Sequence, residues 1–194
     1  MTWEVIGGWF DYSDLYDAAV DRAPNDRPSV FVEVGSYLGR SAAYLGQAIQ
    51  ASGKPILLHC VDCWDGTVPL CDELEKSFQQ MERDGKSVYN HFVDNIAACG
   101  LSSVVHPIRT LSTVGAQQFA DQSCDFVFID ADHSKEAVLA DIRAWLPKVR
   151  PGGIIAGHDY NRDSVFEPVH ELLGKPNIRT SQNECSWIYE VPNG

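Results

Sequence analysis

The sequence predicts an α/β fold: a doubly wound, mostly parallel seven-stranded sheet with helices on both faces and one antiparallel strand near the C-terminus. Three observations predict it. Short apolar runs ending in small or acidic residues alternate five times with amphipathic stretches of helical period, as repeated strand–helix units do. The run Val30 to Val34 breaks at Gly35 and reopens at Gly39, which reads as a buried strand, a glycine turn and the first turn of a helix. Two further apolar runs, 177–180 and 185–191, close the chain with no helix between them, as a hairpin-like pair does.

In chain order, residues 1–12 gather Trp3, Trp9, Phe10 and Tyr12 with two glycines, a segment suited to a lid, a dimer contact or an edge plug. Ser13 reads as an N-cap, with Leu15, Tyr16, Ala19 and Val20 on one helical face. Residues 21–28, polar with two prolines, form a loop. Residues 1–28 are thus an N-terminal aromatic segment and helix, and 29–194 the main domain. A helix over 40–50 ends near Gly53. Residues 55–62 are a buried strand ending in Asp62. Residues 64–86 are longer than most connections and read as an insertion, of a kind that commonly shapes substrate pockets, with Leu74, Phe78 and Met81 at helical spacing. Residues 87–99 are a helix burying Val88, Phe92, Val93 and Ile96. A strand at 104–108, an exit loop through Ser112 and a helix over 113–119 follow. Residues 125–130 are the clearest strand, and 134–149 an amphipathic helix. Arg150-Pro-Gly-Gly153 is a turn, 154–157 a strand and 164–174 a helix.

Composition narrows the function. The 194 residues suffice for a full core, and a formal net charge of −12 repels a phosphate backbone, which disfavours nucleic acid. No run approaches the roughly 18 apolar residues of a membrane span, and the first residues carry no basic leader, so a cytoplasmic protein is expected. The six cysteines are then expected as thiols. Cys60-Val-Asp-Cys63 lacks the second pair that a structural zinc site needs. The oligomeric state stays open, a homo-oligomer included.

In a sheet of this kind ligands lie beyond the carboxyl ends of the strands. Those ends carry Glu33-Val-Gly35, Asp62, Ser112, Asp130-Ala-Asp132-His133 and His158-Asp159. Four of the five hold acids or histidine, and acids so gathered repel one another unless they meet a metal or hydroxylated ligands. Asp62, 27 residues after Gly35, stands where a nucleotide-binding sheet places a carboxylate for ribose hydroxyls, or else caps a turn. Trp64 offers an adenine a flat face, or fills core.

Val-Glu-Val-Gly-Ser-Tyr-Leu-Gly-Arg-Ser41, Val61-Asp62, Phe128-Ile-Asp-Ala-Asp-His133 and Arg150-Pro-Gly-Gly153 together resemble class I S-adenosylmethionine-dependent methyltransferases of Rossmann-like fold. The branch is that of small-molecule O-methyltransferases, the catechol-type and macrolide-sugar-type enzymes, some of them metal-dependent. The resemblance covers roughly residues 29–191, and Tyr37 replaces the middle glycine of the fuller turn. It implies methyl transfer to a hydroxyl of a small sugar or phenol-like acceptor. Glu33, Gly35, Ser36, Tyr37, Gly39 and Ser41 would hold the methionine part of S-adenosylmethionine, Asp62 the ribose, and Trp64 and Ser112 the adenine side. Asp130 would bind beside the cofactor and act in catalysis. Asp130, His158 and Asp159 match the ligands of a divalent cation, magnesium or manganese, and His158 departs from the usual acid there. His133 matches the catalytic base, against the plainer reading of a capping histidine beside Ser134. The rival readings are an NAD(P)-dependent oxidoreductase, whose loop wants three close glycines, and a non-catalytic S-adenosylmethionine-binding module.

Overall fold

The computed structural model describes residues 1–65, 85–175, 178–182 and 184–193. Among them seven strands form one sheet in the order β3-β2-β1-β4-β5-β7-β6. β1 (Ser29–Val34) lies at its centre, parallel to β2 (Ile56–Asp62) on one side and β4 (Cys124–Ile129) on the other. β3 (Val105–Arg109) extends the β2 side. β5 (Val149–Gly157) extends the β4 side, and β7 (Trp187–Glu190) pairs with it antiparallel, carrying β6 (Ile178–Thr180) outward. The chain therefore leaves β1 in one direction and returns to β4 on its opposite side. Loops after adjacent strands diverge at that reversal and open a crevice.

The strands are buried on both faces, so they read as continuous apolar runs rather than alternating ones. One face packs Phe31, Leu58, Phe126 and Phe128 under α1 (Ser13–Arg22), α2 (Arg40–Ser52) and α3 (Val88–Ala98). The other packs Val32, Val127 and Ile155 under α5 (Lys135–Trp145) and α6 (Asp163–Leu173), with α4 (Ser112–Ala116) alongside.

Several boundaries differ from expectation for local reasons. Ser13 is the first helical residue; Tyr12 stands at the cap, its ring drawn into the core. Val93 is exposed, because α3 buries the i, i+4, i+8 stripe of Val88, Phe92 and Ile96, and the next residue points outward. α5 stops at Trp145, where a 3-10 turn carrying Pro147 takes over. α4 is shorter and earlier than expected. Arg150 to Gly153 is no turn between elements: β5 runs through it as a bulge, and pairing with β4 jumps from Cys124–Val149 to Phe126–Ile154. Cys60, Cys63, Cys99 and Cys124 are thiols. The expected helix around Leu74, Phe78 and Met81, most of the 64–86 insertion, and Cys71 lie outside the described residues. No described helix is long and apolar enough to cross a membrane.

The N-terminal arm packs down on α2. Trp3 meets Phe10 and Tyr44 edge-on at 5.4 and 5.3 Å, and Arg40 lies over the Trp3 ring while donating to the Gly8 carbonyl.

Candidate active site

The crevice is built where β1 and β4 end side by side. Asp130 N–H donates to the Val34 carbonyl and Gly35 N–H to the Val61 carbonyl, so three strand ends meet at the glycine turn. Gly35, Tyr37 and Gly39 all have left-handed backbone, φ +87, +46 and +88°. Tyr37, where the fuller motif has glycine, therefore takes a conformation that costs a non-glycine residue about 1–2 kcal/mol. Two hydrogen bonds offset that cost: Trp64 Nε1 donates to the Tyr37 carbonyl at 2.7 Å, and Tyr37 N–H donates to Asp62 Oδ2 at 2.9 Å.

Asp62 sits half-buried at the rim. Its Oδ2 also accepts from Ser36 N–H at 2.9 Å and its Oδ1 from Trp64 N–H at 2.8 Å. The turn thus presents a carboxylate whose orientation its own backbone fixes.

Five side chains expected at the cofactor, Glu33, Ser36, Ser41, Trp64 and Ser112, are engaged elsewhere. Glu33 does not face the crevice. It is fully buried under the turn, accepting from Tyr16 Oη at 2.7 Å and Ser36 Oγ at 2.6 Å. Burial pushes its carboxyl up to about 6, with hydrogen bonds from Ser36, Tyr16 and Ser41 pulling the other way. The hydroxyls of Ser36 and Ser41 are therefore turned inward to Glu33, and these three side chains hold the turn's shape. Trp64 is core, 2% exposed and packed on Phe92 and Tyr89 at 4.7 and 5.2 Å. Ser112 Oγ accepts from Trp145 Nε1 at 2.9 Å and also bonds the buried Asp141, whose carboxyl burial lifts to about 6; it stitches α4 to α5.

The acids at the β4 and β5 ends do converge. Asp130 follows β4, His133 comes three residues later, and Asp159 follows β5 with φ +54°, a conformation aspartate tolerates. His133 Nε2 lies 3.3 Å from Asp130 Oδ1 and 2.9 Å from Asp159 Oδ2. One ligand atom from each of the three falls within 4.8 Å of the others. His158, expected as a cation ligand, is outside this set. Its Nε2 turns to Asp11 Oδ1 at 2.9 Å, and its Nδ1 stays 3.9 and 3.7 Å from Asp130 and Asp159. His133, expected only as a base, stands in that set instead. Pattern reading missed Asp11 and Tyr12, whose contacts cross between distant elements, and Arg162, which is local: Tyr12 Oη donates to Asp130 Oδ2 at 3.1 Å, and Arg162 Nε pairs with Asp159 Oδ1 at 2.9 Å.

The cluster sets its own charge. Burial pulls His133 toward neutrality, but hydrogen bonds to Asp130 and Asp159 outweigh it and lift the imidazole to about 9. Burial also opposes the charge on Asp159, yet His133 and His158 hold its carboxyl well below the usual range. A histidine whose folded value is raised stabilises the fold fully below its unfolded value and stops doing so above the folded one. The melting temperature of the wild type should therefore fall between pH 6.5 and 9 by more than that of His133→Asn. Equal slopes in differential scanning fluorimetry would show that the ring is not charged in this cradle.

A methyltransferase-domain family profile matches residues 32–160. A probable O-methyltransferase of Mycobacterium tuberculosis is 27% identical over 179 residues, 89% of this chain and 63% of that protein. The chain spans 13% of another curated relative, at 26% identity over 133 residues. Among solved structures, the O-methyltransferase TomG of Streptomyces achromogenes, in complex with S-adenosylmethionine, superposes with TM-score 0.62 at 15% identity, covering 97% of this chain and 82% of its own. The Podospora anserina methyltransferase PaMTH1, bound to S-adenosylhomocysteine, superposes with TM-score 0.63 at 12% identity, covering 93% and 78%.

Proposed function

The chain belongs to the methyltransferase-domain family, and from that premise we propose that it moves a methyl group from S-adenosylmethionine to a hydroxyl of a small molecule, a sugar or a phenol. The observation that carries the reading is the convergence of Asp130, His133 and Asp159 one strand away from the glycine turn. The sulfonium donor supplies a methyl that is already electrophilic. The protein has to align the acceptor and take its proton. In this reading the turn from Gly35 to Gly39 lies along the donor, with Asp62 the carboxylate nearest to hand for ribose hydroxyls. Glu33, Ser36 and Ser41 keep that turn in shape from below. Relatives described as O-methyltransferases support oxygen as the acceptor atom.

Two carboxylates and one imidazole within mutual reach fit a divalent ion, and the nitrogen donor suits manganese better than magnesium. An ion held there would lower the pKa of the acceptor hydroxyl. Without one, His133 at about 9 keeps its proton at neutral pH. As an acceptor of protons it then works only in alkaline solution, and as a ligand of a cation it would give up that role, because Nε2 is the atom that faces both acids.

The test is a thermal-shift comparison followed by assay. S-adenosylhomocysteine at a hundredfold excess over its dissociation constant should stabilise the protein by about 2.7 kcal/mol, and NAD should not. Stabilisation by NAD alone would make the protein an oxidoreductase. Donor binding without transfer to any sugar or phenol, with manganese present, would make it a binding module.

A further inference from the structure

The acids of the cluster are each held from outside. Asp130 offers Oδ1 to His133, and its other oxygen, Oδ2, accepts from the Tyr12 hydroxyl at 3.1 Å. Asp159 offers Oδ2 to His133, and its Oδ1 is held by Arg162 at 2.9 Å. The inner oxygens thus face one point and the outer ones are tied down. Arg162 is a near neighbour in sequence of the acid it holds. Tyr12 is 118 residues away and belongs to the N-terminal arm.

Its ring is fixed on every side. It is 2% exposed, tilted against Phe128 at 4.5 Å, edge-on to Phe10 at 4.9 Å and to Tyr16 at 5.2 Å, and close to the His158 ring at 5.0 Å. So dense a setting leaves the hydroxyl little freedom, which makes it a defined donor rather than a wandering one. Asp11, the residue before it, holds His158 Nε2 at 2.9 Å. Adjacent arm residues therefore touch the β4 and β5 ends at two points.

We propose that Tyr12 is a positioning residue of the cation site: its hydroxyl fixes the outer oxygen of Asp130 so that the inner one faces His133 and Asp159, which makes the N-terminal arm part of the site. The inference rests on the reading of that cluster as a divalent-ion site. Partners of ligating carboxylates commonly matter about 10- to 100-fold in metal affinity. By linkage, an ion that gains from the Tyr12 contact must also favour the docked arm.

Tyr16 supplies the control. It is a neighbouring buried phenol, but its hydroxyl donates to Glu33 and not to the cluster. Manganese titrations by calorimetry on wild type, Tyr12→Phe and Tyr16→Phe separate the cases. Tyr12→Phe should bind manganese about 10- to 100-fold more weakly, while Tyr16→Phe binds as wild type does. Manganese should also slow hydrogen exchange at residues 10–16 in wild type and much less in Tyr12→Phe. Should the phenylalanine variant misfold, Tyr12→Leu fills the same apolar slot without the hydroxyl and repeats the test. Equal manganese affinity in wild type and the Tyr12 variants overturns the positioning role alone. Absence of manganese binding by wild type overturns the ion reading, and this inference with it.

Discussion

His133→Ala is expected to lower turnover on a hydroxylated acceptor by roughly 10²- to 10⁴-fold, the usual range for a side chain that handles the transferred proton, while affinity for S-adenosylhomocysteine stays as in wild type. The two halves have separate structural causes. His133 Nε2 is the nearer nitrogen to both Asp130 and Asp159, at 3.3 and 2.9 Å, so its loss leaves two carboxylates facing each other with only His158 Nδ1, at 3.9 and 3.7 Å, beside them. Whichever role that nitrogen fills, cation ligand or proton acceptor, is lost in the variant. The glycine turn is built from other contacts, those of Asp62 with Ser36 and Tyr37 and of Glu33 with Tyr16 and Ser36, none of which includes His133. Single-turnover assay with a labelled donor and calorimetry with the demethylated product read the two quantities. Undiminished turnover removes His133 from the chemistry; lost product affinity with lost turnover points instead to general collapse of the crevice.

Gly35→Ala is the substitution expected to damage the fold most, by roughly 3–5 kcal/mol in chemical denaturation. A methyl group at Gly35 would lie 2.0 Å from the Asp130 carbonyl oxygen and 2.8 Å from Ala131 Cα, and the backbone there already has φ +87°. These neighbours are main-chain atoms of the adjoining strand exit and have no rotamer to escape into. Relief requires β1 and β4 to part, which moves Asp130 as well. Gly53→Ala makes the comparison. It too has left-handed backbone, φ +66°, but a methyl there meets nothing within 4 Å, so it should cost only about 1 kcal/mol. If the two variants lose equal stability, β1 and β4 accommodate a methyl at Gly35 without parting.

The chain alone determined the strand–helix alternation, because burial on both faces of a parallel sheet leaves uninterrupted apolar runs, and burial on one face of a helix leaves a periodic stripe. It likewise located Gly35, Asp62, Asp130, His133 and Asp159 at strand ends, since each terminates a run that is legible within a few residues. It misjudged side chains whose direction depends on a distant partner. Glu33 is the last residue but one of β1 and Trp64 follows β2, yet Tyr16 and Phe92 hold them inward. His158 neighbours Asp159 in sequence, yet Asp11 turns it away and leaves the third donor position to His133. Tyr12 carries no local pattern, and its part comes only from meeting Asp130 across 118 residues. Periodicity is a local property set by which face is buried. Where a carboxylate or an imidazole points is settled by hydrogen bonds between strand ends that only folding brings within 3 Å or so of one another.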